Sequence, residues 1–132
     1  MNYFEMDMDP QALQGIGVLG LAHVGDAVYD LLVRTMLVSR GHGAVGDLHR
    51  RTVSFVKAEA QAAAAQKLLP LLTEEELAVY KRGRNAHVNT VPHHAAVGDY
   101  HAATGLETLF GHLYLRGERE RLLALFAAVT EA

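Results

Sequence analysis

The sequence predicts an all-α fold, and two patterns carry that expectation. Alanine, leucine and glutamate dominate the periodic segments, and no stretch alternates β-branched with polar residues over a strand length. The first strong segment runs from about Gln11 to Arg40; between Val18 and Leu37 it is apolar on almost every side, the pattern of an interior helix. A glycine-rich break, Gly41 to Gly46, follows, after which Asp47 is placed to cap a helix continuing through Lys67 and ending before Leu69 and Pro70. Thr73 with Glu76 three residues later forms a capping box, so a helix should begin there and reach about Arg84. From Asn85 to about Ala96 the chain reads as a polar loop containing Asn89, Thr90, Pro92 and His93-His94. Two helices finish the chain, one over roughly Val97 to Arg116 and, after Gly117, one over Glu118 to Val129.

The 132 residues, half of them hydrophobic and only 3 of them proline, suit a single domain with one buried core spanning about 11–130. Neither a membrane span nor a signal peptide is expected: no 18-residue uncharged apolar run occurs, and Glu5, Asp7 and Asp9 precede any apolar stretch. The absence of cysteine removes disulfides, thiolate zinc sites and cysteine nucleophiles, and makes the cytoplasm the expected location. A net charge of −3 announces no nucleic-acid partner, so any such partner would need a local basic patch.

Asp26 is the most informative residue, because Leu21, Ala22, Val24, Ala27, Val28, Leu31 and Leu32 leave it little polar face. A buried carboxylate must be paired, hydrogen-bonded, protonated or bound to a cation. Glu107 repeats the problem among Leu106, Leu109, Phe110, Leu113 and Tyr114, with Gly105 and Gly111 nearby and Gly25 beside Asp26. Two acids flanked by glycines, on two helices, would place oxygen ligands at a helix crossing, which suits a hard cation such as magnesium. Asp30, one turn after Asp26, is a candidate outer partner. The bland alternative is an acid half-exposed at a helix end or paired with Arg34, and spacing alone does not separate the two readings.

Lys81, Arg82 and Arg84 form the densest positive cluster and run directly into Asn85 and the polar loop, an arrangement able to hold phosphates. Three cations at a helix C-terminus are also what the helix dipole favours. A second group, His49, Arg50 and Arg51, reads more simply as a solvated face. Of eight histidines, His87, His93, His94 and His101 cluster near the loop. His93 and His94 are adjacent and no zincin-type His pair exists, so these read as titratable loop groups rather than zinc ligands. No nucleophile elbow or phosphate-binding glycine loop is present.

The segment Leu21-Ala-His-Val-Gly-Asp-Ala-Val-Tyr-Asp-Leu-Leu-Val-Arg34 resembles the opening signature of the Mini-ribonuclease III family, a ribonuclease III catalytic domain without a double-stranded-RNA-binding domain. Lys81-Arg-Gly-Arg-Asn-Ala86, Thr90-Val-Pro92 and Gly105-Leu-Glu-Thr-Leu-Phe-Gly-His-Leu-Tyr-Leu115 follow in that family's order, and together they cover most of the chain from Leu19 to Gly117. The resemblance implies a ribonuclease III-type fold and a homodimer that cuts double-stranded RNA with magnesium (Mg2+), maturing a double-stranded stalk of the 23S ribosomal RNA precursor. It implies Asp26 and Glu107 as catalytic metal ligands, with Asp30 and Thr104 as outer partners. RNA contacts are expected from Lys81, Arg82, Arg84, Asn85, His87, Thr90, His93 and His94. Where full-length ribonuclease III carries two further acids, this chain has Ala22 and Thr104, which leaves two ligands rather than four. His23, His87, His93 and His101 stand where relatives carry lysine, arginine or tyrosine, so RNA affinity is expected to rise as pH falls through about 6.5, the ordinary imidazole value. The alternative function is a helical module that binds RNA or protein without cutting.

Overall fold

The computed structural model describes residues 1–41, 43–86 and 96–131. It is all-helical over that range: α1 (Pro10–Gln14), α2 (Val18–Ser39), α3 (Val45–Val56), α4 (Ala58–Leu68), a 3₁₀ turn (Leu69–Leu71), α5 (Glu74–Arg84), α6 (Val97–Arg116) and α7 (Arg119–Thr130). The helices α2, α4, α5 and α7 all pack around α6.

Local chemistry sets the ends. Asp9 caps α1, its carboxylate accepting from the Ala12 amide at 2.8 Å with Pro10 in the first turn, a start signal absent from the sequence reading. The expected single segment from Gln11 to Arg40 is two helices, because the chain turns through Gly15 and extended Gly17 before α2 begins. The Thr73–Glu76 box closes as expected, with Thr73 Oγ1 accepting from the Glu76 amide at 3.1 Å and Glu76 Oε1 from the Thr73 amide at 2.9 Å. Asp47 lies inside the first turn of α3 rather than at its cap, where it pairs with Arg50 and Arg51 at 3.2 and 3.3 Å. Those pairs make the second basic group a solvated face. The helix expected through Lys67 breaks at Lys57, whose extended backbone (φ −64°, ψ 153°) separates α3 from α4.

The interior helix is α6, not α2. Twelve of the 20 residues of α6 are buried against six of 22 in α2. The α2 side facing α6 carries Leu21, Ala22, Gly25, Tyr29, Val33 and Leu37, while its outer side leaves Leu19, Leu31 and Val38 about half exposed or more. Tyr29 sits edge-on to Phe110 and Phe126, with ring centroids 5.2 and 5.7 Å apart, and closes the main core with Leu106, Leu109, Leu113 and Leu125. No described helix is long and apolar enough to cross a membrane.

Candidate metal and RNA site

The crossing of α2 over α6 is backbone on backbone. A Cβ on Gly25 would overlap the carbonyl oxygen of Glu107, and one on Gly111 would overlap that of Leu21. Only glycine at both positions lets the helices approach this closely. The consequence is local: Asp26 follows Gly25, Glu107 supplies the carbonyl it meets, and the two carboxyl groups come near enough to share a hydrogen bond.

The environments of the two acids differ. Glu107 is half-buried, whereas Asp26 is exposed on the chain taken alone, which corrects the expectation that both are interior. The reason is that α2 covers α6 on one side only, so a residue one position past the contact line already looks outward. The Glu107 carboxyl is pushed up to about 8, first by burial and then by the Asp26 charge and hydrogen bond, with Gln61 opposing. Arg34, the candidate counter-charge for Asp26, instead pairs with Asp30 at 3.2 Å. Among the described residues neither Asp26 nor Glu107 has an ion pair with a basic side chain.

The proposed outer partners are turned elsewhere. Asp30 is held by Arg34, and the buried Thr104 hydroxyl donates to the Tyr100 carbonyl at 3.0 Å. No third carboxylate, histidine or cysteine joins the two acids among the described residues. The polar group that does reach Glu107 is one the sequence reading missed: Gln61 of α4, whose Nε2 donates to Glu107 Oε2 at 3.4 Å and to the Val56 carbonyl at 2.9 Å. The available signal was its register, since Gln61, Ala64, Ala65 and Leu68 share the buried face of α4 and glutamine is out of place there.

The basic cluster lies at the C-terminal end of α5, where Lys81 and Arg82 are exposed and Arg84 is half-buried. Arg84 donates to Asn85 Oδ1 at 3.2 Å and sits over the Tyr80 ring at 5.9 Å. Between these arginines, Gly83 packs against Thr108, the residue after Glu107, so the positive helix end meets α6 at the level of the acids. His87, Thr90, His93 and His94 lie outside the described residues. His23 is exposed on α2, and His101 is half-buried on α6 with its Nδ1 buried and without a hydrogen-bond partner among the described residues.

An all-helical domain thus brings two acids together across a glycine crossing, beside a basic helix end. The Ribonuclease III domain pattern matches residues 19–118, which include both acids and the basic cluster. Mini-ribonuclease 3 of Clostridium tetani is 45% identical over 113 residues, covering 85% of this chain and 75% of that protein. Mini-ribonuclease 3 of Symbiobacterium thermophilum is 46% identical over 113 residues, covering 86% and 87%. A crystal structure of a Fusobacterium nucleatum protein superposes with a TM-score of 0.81 at 28% identity, covering 89% of this chain and 93% of that one. The chain therefore belongs to the ribonuclease III family, among the Mini-ribonuclease 3 proteins, and is an endoribonuclease leaving 5′-phosphate and 3′-hydroxyl ends.

Proposed function

We propose that this endoribonuclease cuts double-stranded RNA with magnesium held by Asp26 and Glu107, and that its substrate is a double-stranded stalk of the 23S ribosomal RNA precursor. One observation carries the metal assignment. Two carboxyl groups are pressed together with no basic side chain among the described residues to neutralise them, and the Glu107 carboxyl is pushed up to about 8, first by its burial and then by the Asp26 charge and hydrogen bond. A divalent cation relieves that repulsion where a proton otherwise must. The donor set fits magnesium, which takes hard oxygen ligands and keeps most of its waters, so that two carboxylates suffice. When bound, the ion supplies charge at the scissile phosphate and lowers the pKa of a nearby water.

The remaining work falls to the protein's own groups. Lys81, Arg82 and Arg84 grip phosphate oxygens, and Asn85 with His87, Thr90, His93 and His94 contacts a groove of the duplex. Asp30 holds Arg34, and Thr104 fills the position of a missing acid without adding charge. A second copy of the chain covers the apolar outer face of α2, where Phe4, His23, Val24, Ala27, Val28, Leu31 and Tyr114 line a depression of about 340 Å³. A twofold pair gives one site per strand of the duplex. An RNA substrate of this kind sets the enzyme in the cytoplasm.

The test is cleavage of an end-labelled RNA hairpin with and without a chelator, using single-stranded RNA and duplex DNA as controls. The expected result is cutting of duplex RNA alone, stopped by chelator and restored by magnesium. Cutting that ignores the chelator overturns the metal assignment, and cutting of the single-stranded RNA or the duplex DNA overturns the substrate class.

A further inference from the structure

Gln61 is only 2% exposed, on a face of α4 otherwise made of Ala64, Ala65 and Leu68. A leucine or methionine would fill that space without burying an amide. What the amide does there is specific. Its Nε2 donates to the Val56 carbonyl at 2.9 Å and to Glu107 Oε2 at 3.4 Å. Val56 ends α3, so its carbonyl lacks the helical partner that a continuous α3–α4 helix would provide. The break at Lys57 therefore creates the anchor and turns Gln61 toward α6 in one step.

The amide's orientation is set by the Val56 carbonyl, which can only accept and therefore takes the NH2 end. In consequence Oε1 is buried and has no hydrogen-bond partner among the described residues. A glutamine that only tied off the end of α3 would use one N–H; here the same NH2 group also reaches Glu107. The brace thus runs from the backbone end of α3 to Oε2 of Glu107.

We infer that Gln61 is a positioning residue of the metal site: it holds the Glu107 carboxylate, from a third helix, in the orientation that receives the divalent ion. The inference rests on the proposal that Asp26 and Glu107 hold that ion. A residue orienting a ligand in this way typically changes metal affinity by about 10–100-fold when it is lost.

The test titrates Mg2+ and Mn2+ into the RNA-free protein, following binding by calorimetry and by metal-induced rise in Tm. Gln61→Met, of nearly the same length, should keep the helical spectrum and metal-free Tm while weakening metal binding about 10–100-fold. Hairpin affinity in chelator should not change, and cleavage should recover at high metal. An unchanged metal midpoint in folded Gln61→Met overturns the inference. Because that variant can fail to fold, the wild type is also followed by NMR: Mg2+ should shift the Gln61 side-chain amide signals, and silent signals at saturation overturn the inference equally. Asp26→Asn separates the two readings. If the wild type binds metal, Asp26→Asn does not, and Gln61→Met binds normally, the inference alone fails; if the wild type binds none, both fall.

Discussion

Two glutamates on packed helices, Glu76 of α5 and Glu107 of α6, meet burial in opposite ways. Glu76 is 7% exposed, yet its carboxyl is held below the usual carboxylate range, first by the hydrogen bonds of Arg121. The guanidinium grips it bidentately, with Nε and Nη2 each at 2.8 Å, and also donates to the Leu71 carbonyl at 2.8 Å. Among the described residues Glu107 has only another acid and an amide, and its carboxyl is pushed up. The first acid is complete within the chain and ties α7 to the start of α5. The second is left one positive charge short, which is the condition of a ligand rather than of a strut.

The comparison is broken most severely at the second acid. Asp26→Asn and Glu107→Gln should each lower cleavage by on the order of 10³-fold or more, with hairpin affinity in chelator nearly unchanged, as read by single-turnover assay and filter binding. The corresponding break at the first acid is Arg121→Met. It should cost about 2 kcal/mol in denaturant unfolding, less than a fully buried pair because Arg121 is 35% exposed, and leave cleavage near wild type at temperatures where the variant is folded.

The smallest effect sharpens the contrast through pH. The folded state holds the Glu107 proton more tightly than the unfolded chain does, so that proton stabilises the fold fully below the ordinary value of 4.5, and the contribution is lost as pH climbs through about 8. Glu76 runs the other way: its contribution is present above the ordinary glutamate value and lost as pH falls through its lowered one. In chelator, Tm should therefore drop by several degrees between pH 6 and 9, and Glu107→Gln should flatten that drop. Added magnesium should reduce it in the wild type and not in the variant.

Much of this was legible in the residues because it is local. The Thr73–Glu76 box is written in two side chains three apart, and the span of α6 from Val97 to Arg116 agrees with its apolar period. The acids were legible because a carboxylate in an apolar run needs a partner, and the glycines beside them because a close crossing requires them. Depth was not legible. The apolar period of α2 matches that of an interior helix, yet half of α2 faces outward and Asp26 with it, because periodicity does not distinguish a core from an apolar outer face. Gln61 was invisible for a related reason: its role depends on a backbone break at Lys57 and on a carboxylate 46 residues away.

By itself the sequence determined the helical class, the Thr73–Glu76 capping box and the glycines of the crossing, since these follow from backbone hydrogen bonding and side-chain volume. Only the tertiary structure decided which helix is central, which acid is buried, and that Arg34 serves Asp30 while Gln61 serves Glu107. Those outcomes depend on the angle and height at which helices cross, which is set by packing across the whole core rather than by any one segment.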